Sequence, residues 1–117
     1  MAVTLEQARA FLERRTRVRR ADGERRAALL RSRLPAAVEL LRTRYGVASI
    51  RLFGSLARGE ADAYSDIDLA VEGLDTTRYF EALGDVMGLM SCPVDLVRLE
   101  DAPASLRDRV FQDGELL

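Results

Sequence analysis

The sequence predicts an α/β (α+β) fold, with a helical arm over residues 1–44 and a core over residues 45–117. In the arm, apolar residues recur at helical spacing. After Gly46 the spacing of the apolar residues changes, and short apolar or alternating runs predict three strands. The order β-(short α)-β-α-β-α is typical of an α/β or α+β core. A chain of 117 residues provides one such domain, of which the arm is expected to be a part.

The arm is predicted to contain two helices. Residues 4–20 form the first, and residues 21–23 (Ala-Asp-Gly) predict a break. Pro35 would kink the helix if it lay in the interior, but it is tolerated in the first turn of a helix capped by Ser32. We favour a restart near Ser32, with the helix ending at Gly46. Six apolar residues form one stripe on this second helical pattern: Leu30, Leu34, Ala37, Val38, Leu41 and Tyr45.

The core is predicted to alternate strands and helices. In chain order the elements are strand 47–53, short helix 55–59, strand 66–72, helix 76–90, strand 93–99 and a helix that ends at Gly114. Asp75 and Asp101 are the expected N-caps of the two longer helices. On helix 76–90 the stripe expected to face the sheet comprises Phe80, Leu83, Met87 and Met90.

Composition limits the chemistry that this chain can perform. Apolar residues make up 48% of the chain and charged residues 32%, as in ordinary globular proteins. Histidine is absent and all 18 basic residues are arginine, which excludes histidine chemistry and a Walker-type phosphate loop. No apolar stretch approaches the roughly 18 residues that span a bilayer. The single cysteine, Cys92, fits a reducing cytoplasm.

Charge is distributed unevenly along the chain. Residues 1–44 contain twelve arginines against five acids, whereas residues 45–117 contain six arginines against fourteen acids. This segregation suggests an acidic catalytic or docking part with a basic arm. Three acids, Glu13, Asp22 and Glu24, interrupt the arginines. The arm is therefore expected to face solvent or a partner, and nucleic-acid binding is the less favoured alternative.

Three acidic residues are the candidate metal ligands. Asp66 and Asp68 leave the same face of an extended strand, since side chains at i and i+2 point together. Two carboxylates this close repel each other, and a divalent cation removes that penalty. Asp95, in a neighbouring apolar run, would complete a site for two Mg²⁺ ions, roughly 3.5–4 Å apart, for phosphoryl or nucleotidyl transfer.

A Gly-Ser turn provides the second half of the candidate site. Gly54 permits close backbone approach at the end of a strand, and the helix that follows offers free N–H groups to a phosphate. The Ser55 hydroxyl adds a donor, and Arg58 is the nearest cationic side chain. With lysine absent, backbone amides, arginine and metal must neutralise the phosphate charge.

Each of these features also has an ordinary structural interpretation. A Gly-Ser pair after a strand is usually only a turn, and an Asp-x-Asp pair is often a solvated strand face. Asp95 alone would be a solvated acid on an edge strand, although its apolar neighbours predict a buried acid that needs a partner. Together, at this spacing and in these predicted contexts, the features favour a catalytic site.

The two segments resemble the signature of minimal nucleotidyltransferases of the polymerase-β-like superfamily. The matching segments are Leu52-Phe53-Gly54-Ser55-Leu56-Ala57-Arg58-Gly59 and Ser65-Asp66-Ile67-Asp68-Leu69, with Val94-Asp95-Leu96-Val97 similar to the strand of the third carboxylate. The resemblance implies a small mixed sheet with helices on one face. It also implies Mg²⁺-dependent transfer of a nucleoside monophosphate, usually from ATP. Asp66 and Asp68 would hold the metals, and Asp95 would complete the site and activate the acceptor hydroxyl.

The resemblance also implies a partner. Many small bacterial members look like antitoxins that adenylylate a tyrosine of an all-helical HEPN ribonuclease toxin. A chain without a separate acceptor-binding domain fits a protein acceptor better than a small molecule. Three alternatives stay open: a non-catalytic module that binds a toxin, a transferase for a small-molecule acceptor, and a nucleic-acid binder that uses the arm. The sequence leaves homo-oligomers and hetero-oligomers equally open.

Overall fold

The structure, a computed structural model, describes residues 2–117, which form four α-helices and four strands. In chain order these are α1 (Leu5–Thr43), β1 (Ser49–Phe53), α2 (Gly54–Ala57), β2 (Ile67–Glu72), α3 (Tyr79–Met90), β3 (Val94–Arg98), α4 (Ala104–Asp113) and β4 (Glu115–Leu116). Short 3-10 turns at Thr76–Arg78 and Leu99–Asp101 precede α3 and α4. The predicted α/β class is confirmed.

The sheet is mixed and has the strand order β3-β2-β1-β4. Strand β1 pairs antiparallel with both β2 and β4, and β2 pairs parallel with β3 through α3. The two-residue strand β4 was not predicted, because a dipeptide has no periodicity to detect. Strands β1 and β3 lie within their predicted ranges, and β2 begins one residue later than predicted.

One face of the sheet packs against α1 and α3. Alternate residues of β1 and β2 that point to this face, such as Ile50, Leu52, Ile67 and Leu69, are fully buried. They meet the predicted stripe of the second half of α1, of which every member except the partly buried Val38 is buried. Burial of this apolar surface is the main contribution to the stability of the fold.

Helix α4 covers part of the opposite face. Ala70 of β2 packs there with Leu99 and Val110, and Phe53 and Leu106 contact this smaller cluster. The expectation of helices on one face is therefore wrong for α4. Since Asp68 lies two residues before Ala70, its side chain leaves the sheet on this face, beside α4.

Helix α1 is continuous, which corrects the predicted break at residues 21–23 and the restart near Ser32. Gly23 is buried against the loop that precedes β2, where a side chain would overlap the carbonyl oxygen of Ala61. Pro35 lies on the exposed side, and the burial of Leu34 and Ala37 on the other side outweighs its missing hydrogen bond. The hydroxyl of Ser32 donates to the Leu29 carbonyl instead of capping a helix.

The predicted stripe of helix α3 is only partly confirmed. Met90 is buried and Leu83 is partly buried as predicted, but Phe80 is 81% exposed, Met87 is exposed, and Ala82 and Val86 are buried in their place. The predicted stripe followed the largest apolar side chains, but the close approach of α1 favours the smaller ones. Asp75 accepts from the Thr77 amide and caps as predicted. Asp101 does not cap α4, because its carboxylate pairs with Arg98.

Candidate active site

Two of the predicted acids are adjacent across the parallel pair of strands. Asp68 of β2 lies in register with Asp95 of β3, so the two side chains leave the same face of the sheet. Asp68 is half-buried, whereas Asp95 is exposed because β3 is an edge strand. The expectation of a buried Asp95 is therefore wrong, since Leu96 is the only buried residue of β3.

The third acid lies one residue outside the sheet. Asp66 immediately precedes β2, and half of its side chain is exposed. Burial raises the pKa of Asp68, and the charges of Asp95 and then Asp66 raise it further, while the Arg58 guanidinium lowers it. Asp68 is therefore close enough to both Asp95 and Asp66 for their negative charges to disfavour its own.

Gly54 brings the turn after β1 against Asp68. Its φ is +75°, which is a left-handed conformation that favours glycine. A Cβ atom at this position would overlap the Oδ2 atom of Asp68. A glycine is therefore required here both for the backbone conformation and for the approach of the turn to the carboxylate.

Ser55 and Arg58 extend this side of the site. The Ser55 Oγ atom lies 3.3 Å from the Oγ atom of Ser65, the residue before Asp66. Arg58 is exposed, and its Nε donates to Glu60 Oε2 at 3.0 Å. Because such a surface ion pair is weak, the guanidinium is free to exchange Glu60 for another anion.

A small cavity of about 180 Å³ lies between this turn and α4. Its lining includes two arginines, Arg58 and Arg109, that face Asp68. Sequence reasoning missed Arg109, since an isolated arginine in a helix 41 residues after Asp68 gives no local signal. The complete lining is Phe53, Gly54, Arg58, Asp68, Leu106, Arg109 and Asp113.

A second missed residue, Arg26, belongs to α1. Its Nε donates to the carbonyl oxygen of Ser65 at 3.0 Å, and its NH2 nitrogen lies 4.0 Å from the Asp66 Oδ1 atom. The side chain is only 23% exposed. Nothing in the sequence distinguishes it from the other arginines of the arm, because the contact joins residues 39 positions apart.

The donor set at this site suits a cation that is shared with a phosphate. Throughout residues 2–117, no group of three or more acidic or cysteine side chains lies close enough together to hold a metal ion. The mutual repulsion at Asp68 still indicates excess negative charge that a cation would neutralise. Mg²⁺ typically takes one or two carboxylates and completes its shell with substrate oxygens and water. The residues present fit that mode of binding.

The helices in the described part of the chain include no stretch that is both long and apolar enough to cross a membrane.

The mixed sheet with its flanking helices has the fold of the nucleotidyltransferase class, to which a similar solved structure belongs. The family model described as "Polymerase beta, Nucleotidyltransferase" matches residues 37–117. The chain therefore belongs to the polymerase-β-like nucleotidyltransferase family. The match includes the end of α1 and excludes most of the arm.

The relatives of this chain include archaeal and bacterial proteins. A protein of Methanocaldococcus jannaschii, provisionally named a protein adenylyltransferase, is 42% identical over 62 residues, or 50% of this chain and 63% of the relative. This chain thus matches less than two thirds of that relative. A provisionally assigned minimal nucleotidyltransferase superposes with a TM-score of 0.68 at 33% identity, over 78% of this chain and 95% of the other.

Two similar structures are toxin–antitoxin complexes. A complex with AMP-PNP matches at 32% identity and a TM-score of 0.61, over 68% of this chain and 67% of the other. A complex of a tri-AMPylated HEPN toxin with its MNT antitoxin, from Shewanella oneidensis, matches at 30% identity and a TM-score of 0.60. The matched region covers 74% of this chain and 70% of that one.

Proposed function

We propose that this protein transfers AMP from ATP to a hydroxyl group of a partner protein, with the partner a HEPN-type toxin and the acceptor a tyrosine. The single observation that carries this proposal is the contact of Gly54 with Asp68, which in turn lies in register with Asp95. That arrangement sets a phosphate-binding turn beside a pair of carboxylates. The AMP-PNP and tri-AMPylated toxin complexes of similar proteins support the choice of nucleotide and partner.

In this proposal the three acids have separate roles. Asp66 and Asp68 would hold Mg²⁺, and Asp95 would complete the site from the neighbouring strand. A metal held there would supply charge neutralisation of the triphosphate. The Gly54 turn and Ser55 contact the phosphates, and Arg58 and Arg109 offset their charge from the cavity beside Asp68.

The reaction is an in-line displacement at the α-phosphorus of ATP. The acceptor oxygen forms a bond to this phosphorus, and the bond to the β-phosphate oxygen breaks, which releases pyrophosphate. The acceptor proton passes to Asp95, whose exposed carboxylate is open to an acceptor that approaches from the edge of the sheet. Positioning and charge stabilisation supply most of the rate enhancement in such reactions.

The experiment is AMP transfer under substoichiometric conditions. A trace of the protein with Mg²⁺ and α-labelled ATP is added to an excess of a HEPN-type toxin protein from the same genome. Labelling of toxin in excess over enzyme is expected. Asp66→Asn with Asp68→Asn should reduce transfer at least about 100-fold, since charge stabilisation at the phosphates is lost, and should leave toxin binding intact.

Asp108→Asn is the matched control. Asp108 is an exposed acid of α4 outside the cavity, so this variant should transfer AMP at the wild-type rate. Inhibition of the toxin only at equal stoichiometry, without label, would instead identify a non-catalytic binding antitoxin. Labelling of a small hydroxyl compound but not of toxin would reassign the acceptor.

A further inference from the structure

The basic helix α1 touches the loop between α2 and β2, which ends at Asp66. Gly23 is buried beneath this loop, so close to the Ala61 carbonyl that no side chain would fit. One turn further along α1, the Arg26 side chain reaches the Ser65 carbonyl oxygen, with its Nε at 3.0 Å. The segment between α2 and β2 is therefore held by α1 at its middle and at its end.

Arg26 also faces the carboxylate of Asp66, the residue that follows Ser65. Its NH2 nitrogen lies 4.0 Å from Asp66 Oδ1, while its Nε is engaged by Ser65. The planar guanidinium holds several donors in fixed directions, so one side chain fixes a backbone carbonyl and the adjacent carboxylate together. Its low exposure of 23% limits the competition from water.

We infer that Arg26 is a positioning residue, which orients Asp66 toward Asp68 and thereby prepares the carboxylates for a divalent cation. This inference rests on the proposed function and extends the site beyond the family-matched region, which begins at residue 37. It also gives the arm a role within the site. Asp66 precedes the first strand residue, so the ladder of β2 alone does not orient it.

Two possible roles of Arg26, as a counter-charge and as a positioning residue, predict opposite changes in metal affinity when its side chain is removed. A cation near Asp66 repels a metal ion, so its loss as a mere counter-charge would tighten metal binding. Loss of a group that orients a ligand weakens binding, and such outer groups typically contribute 10–100-fold to metal affinity. The direction of the change therefore distinguishes the two roles.

The test measures Mn²⁺ binding without turnover. Free Mn²⁺ is followed by electron paramagnetic resonance during titration of the full chain in the presence of a non-hydrolysable ATP analogue. Arg26→Ala should weaken Mn²⁺ binding about tenfold. Arg26→Lys should weaken it about threefold, since an ammonium keeps the charge but not the fixed fork. Arg25→Ala is the matched control, because Arg25 is 71% exposed and pairs with Asp22 on the same helix; it should bind as the wild type does.

Unchanged or tighter Mn²⁺ binding by Arg26→Ala would overturn the inference. Should that variant fail to fold, as judged by circular dichroism, Arg26→Lys decides alone, and wild-type affinity would overturn it. Failure of the proposed function would appear differently, as absence of Mn²⁺ binding or of AMP transfer in the wild-type protein. The melting temperatures of Arg26→Ala and Arg25→Ala are also compared with that of the wild type. This comparison separates a loss of stability from a loss of metal affinity.

Discussion

At the scale of single residues, Gly54 provides a sharp test of the candidate site. In Gly54→Ala, the alanine must adopt a positive φ, which is unfavourable for it, and its methyl group would overlap Asp68. We expect a loss of about 3 kcal/mol in the free energy of unfolding. AMP transfer should fall about 100-fold, since small misplacements of catalytic groups have effects of this size. Chemical denaturation and single-turnover labelling measure the two effects.

Gly59→Ala isolates the contribution of the contact. Gly59 has a similar φ of +71°, but nothing lies within 4 Å of an added Cβ. The free energy of unfolding of this variant should fall by only about 1 kcal/mol, which is the cost of the backbone conformation. Equal losses for the two glycines would contradict the importance of the approach between the turn and Asp68.

The local part of the site could be predicted from the sequence, and the long-range part could not. Gly54, Asp66 and Asp68 lie within 15 residues, so a strand period and a turn suffice to select them. Arg26 and Arg109 reach the same place from α1 and α4, through packing that no local pattern encodes. The roles assigned to all these residues stay predictions until the variants are measured.

At the scale of secondary structure, Gly23 shows why α1 is not broken. Gly23→Ala would favour an isolated helix, since alanine is the better helix former by about 1 kcal/mol. Here the added methyl would overlap the Ala61 carbonyl, so we expect a net loss of about 2 kcal/mol in the free energy of unfolding. Urea denaturation measures this difference.

Gly84→Ala in α3 is the matched control for Gly23→Ala. An added Cβ at Gly84 meets no atom within 4 Å, so only the higher helix propensity of alanine acts. The free energy of unfolding should therefore increase by about 0.5–1 kcal/mol. Stabilisation by both substitutions would show that α1 and the loop before β2 are not in contact.

Burial explains which elements the sequence predicted well. The stripe of the second half of α1 was correct because large aliphatic residues recur on one face. The predicted face of α3 was correct at Leu83 and Met90 and missed Ala82 and Val86, because these two are small and their burial depends on how closely α1 approaches. Pro35 and the Ala-Asp-Gly segment predicted breaks, but tertiary packing outweighs local propensity in both places.

At the scale of the whole molecule, acid should destabilise the fold through two carboxylates. A hydrogen bond from the Gly73 amide lowers the pKa of Glu100 below its ordinary 4.5, and the Thr77 amide lowers the pKa of Asp75 below 3.8. Both groups prefer their charged form in the folded state. Their contribution is complete above pH 4.5 and is lost as the pH falls through the lowered values.

Glu100→Gln combined with Asp75→Asn tests this dependence. Neither replacement titrates, and asparagine preserves the cap of the helix. The melting temperature of the double variant should fall less steeply below pH 4.5 than that of the wild type, with a difference of a few degrees. Asp68 stays unchanged in this comparison, since its raised pKa acts with the opposite sign. Parallel curves for the two proteins would contradict the assignment.

The shape of the molecule leads to the last prediction, which concerns the first half of α1. The radius of gyration is 18.0 Å and the longest dimension 63 Å, whereas a compact chain of this length has a radius of about 13 Å. In the projecting segment, residues 5–20 of α1, four apolar side chains are more than half exposed: Leu5, Phe11, Leu12 and Val18. A helix without tertiary contacts is only marginally stable in water. Amides of residues 5–20 should therefore exchange with deuterium much faster than those of residues 30–41, whose apolar stripe is buried.

Hydrogen exchange at increasing protein concentration tests this directly. Slow exchange at 5–20 that appears only at high concentration would show that a second copy covers the arm, and slow exchange at all concentrations would contradict the projecting helix.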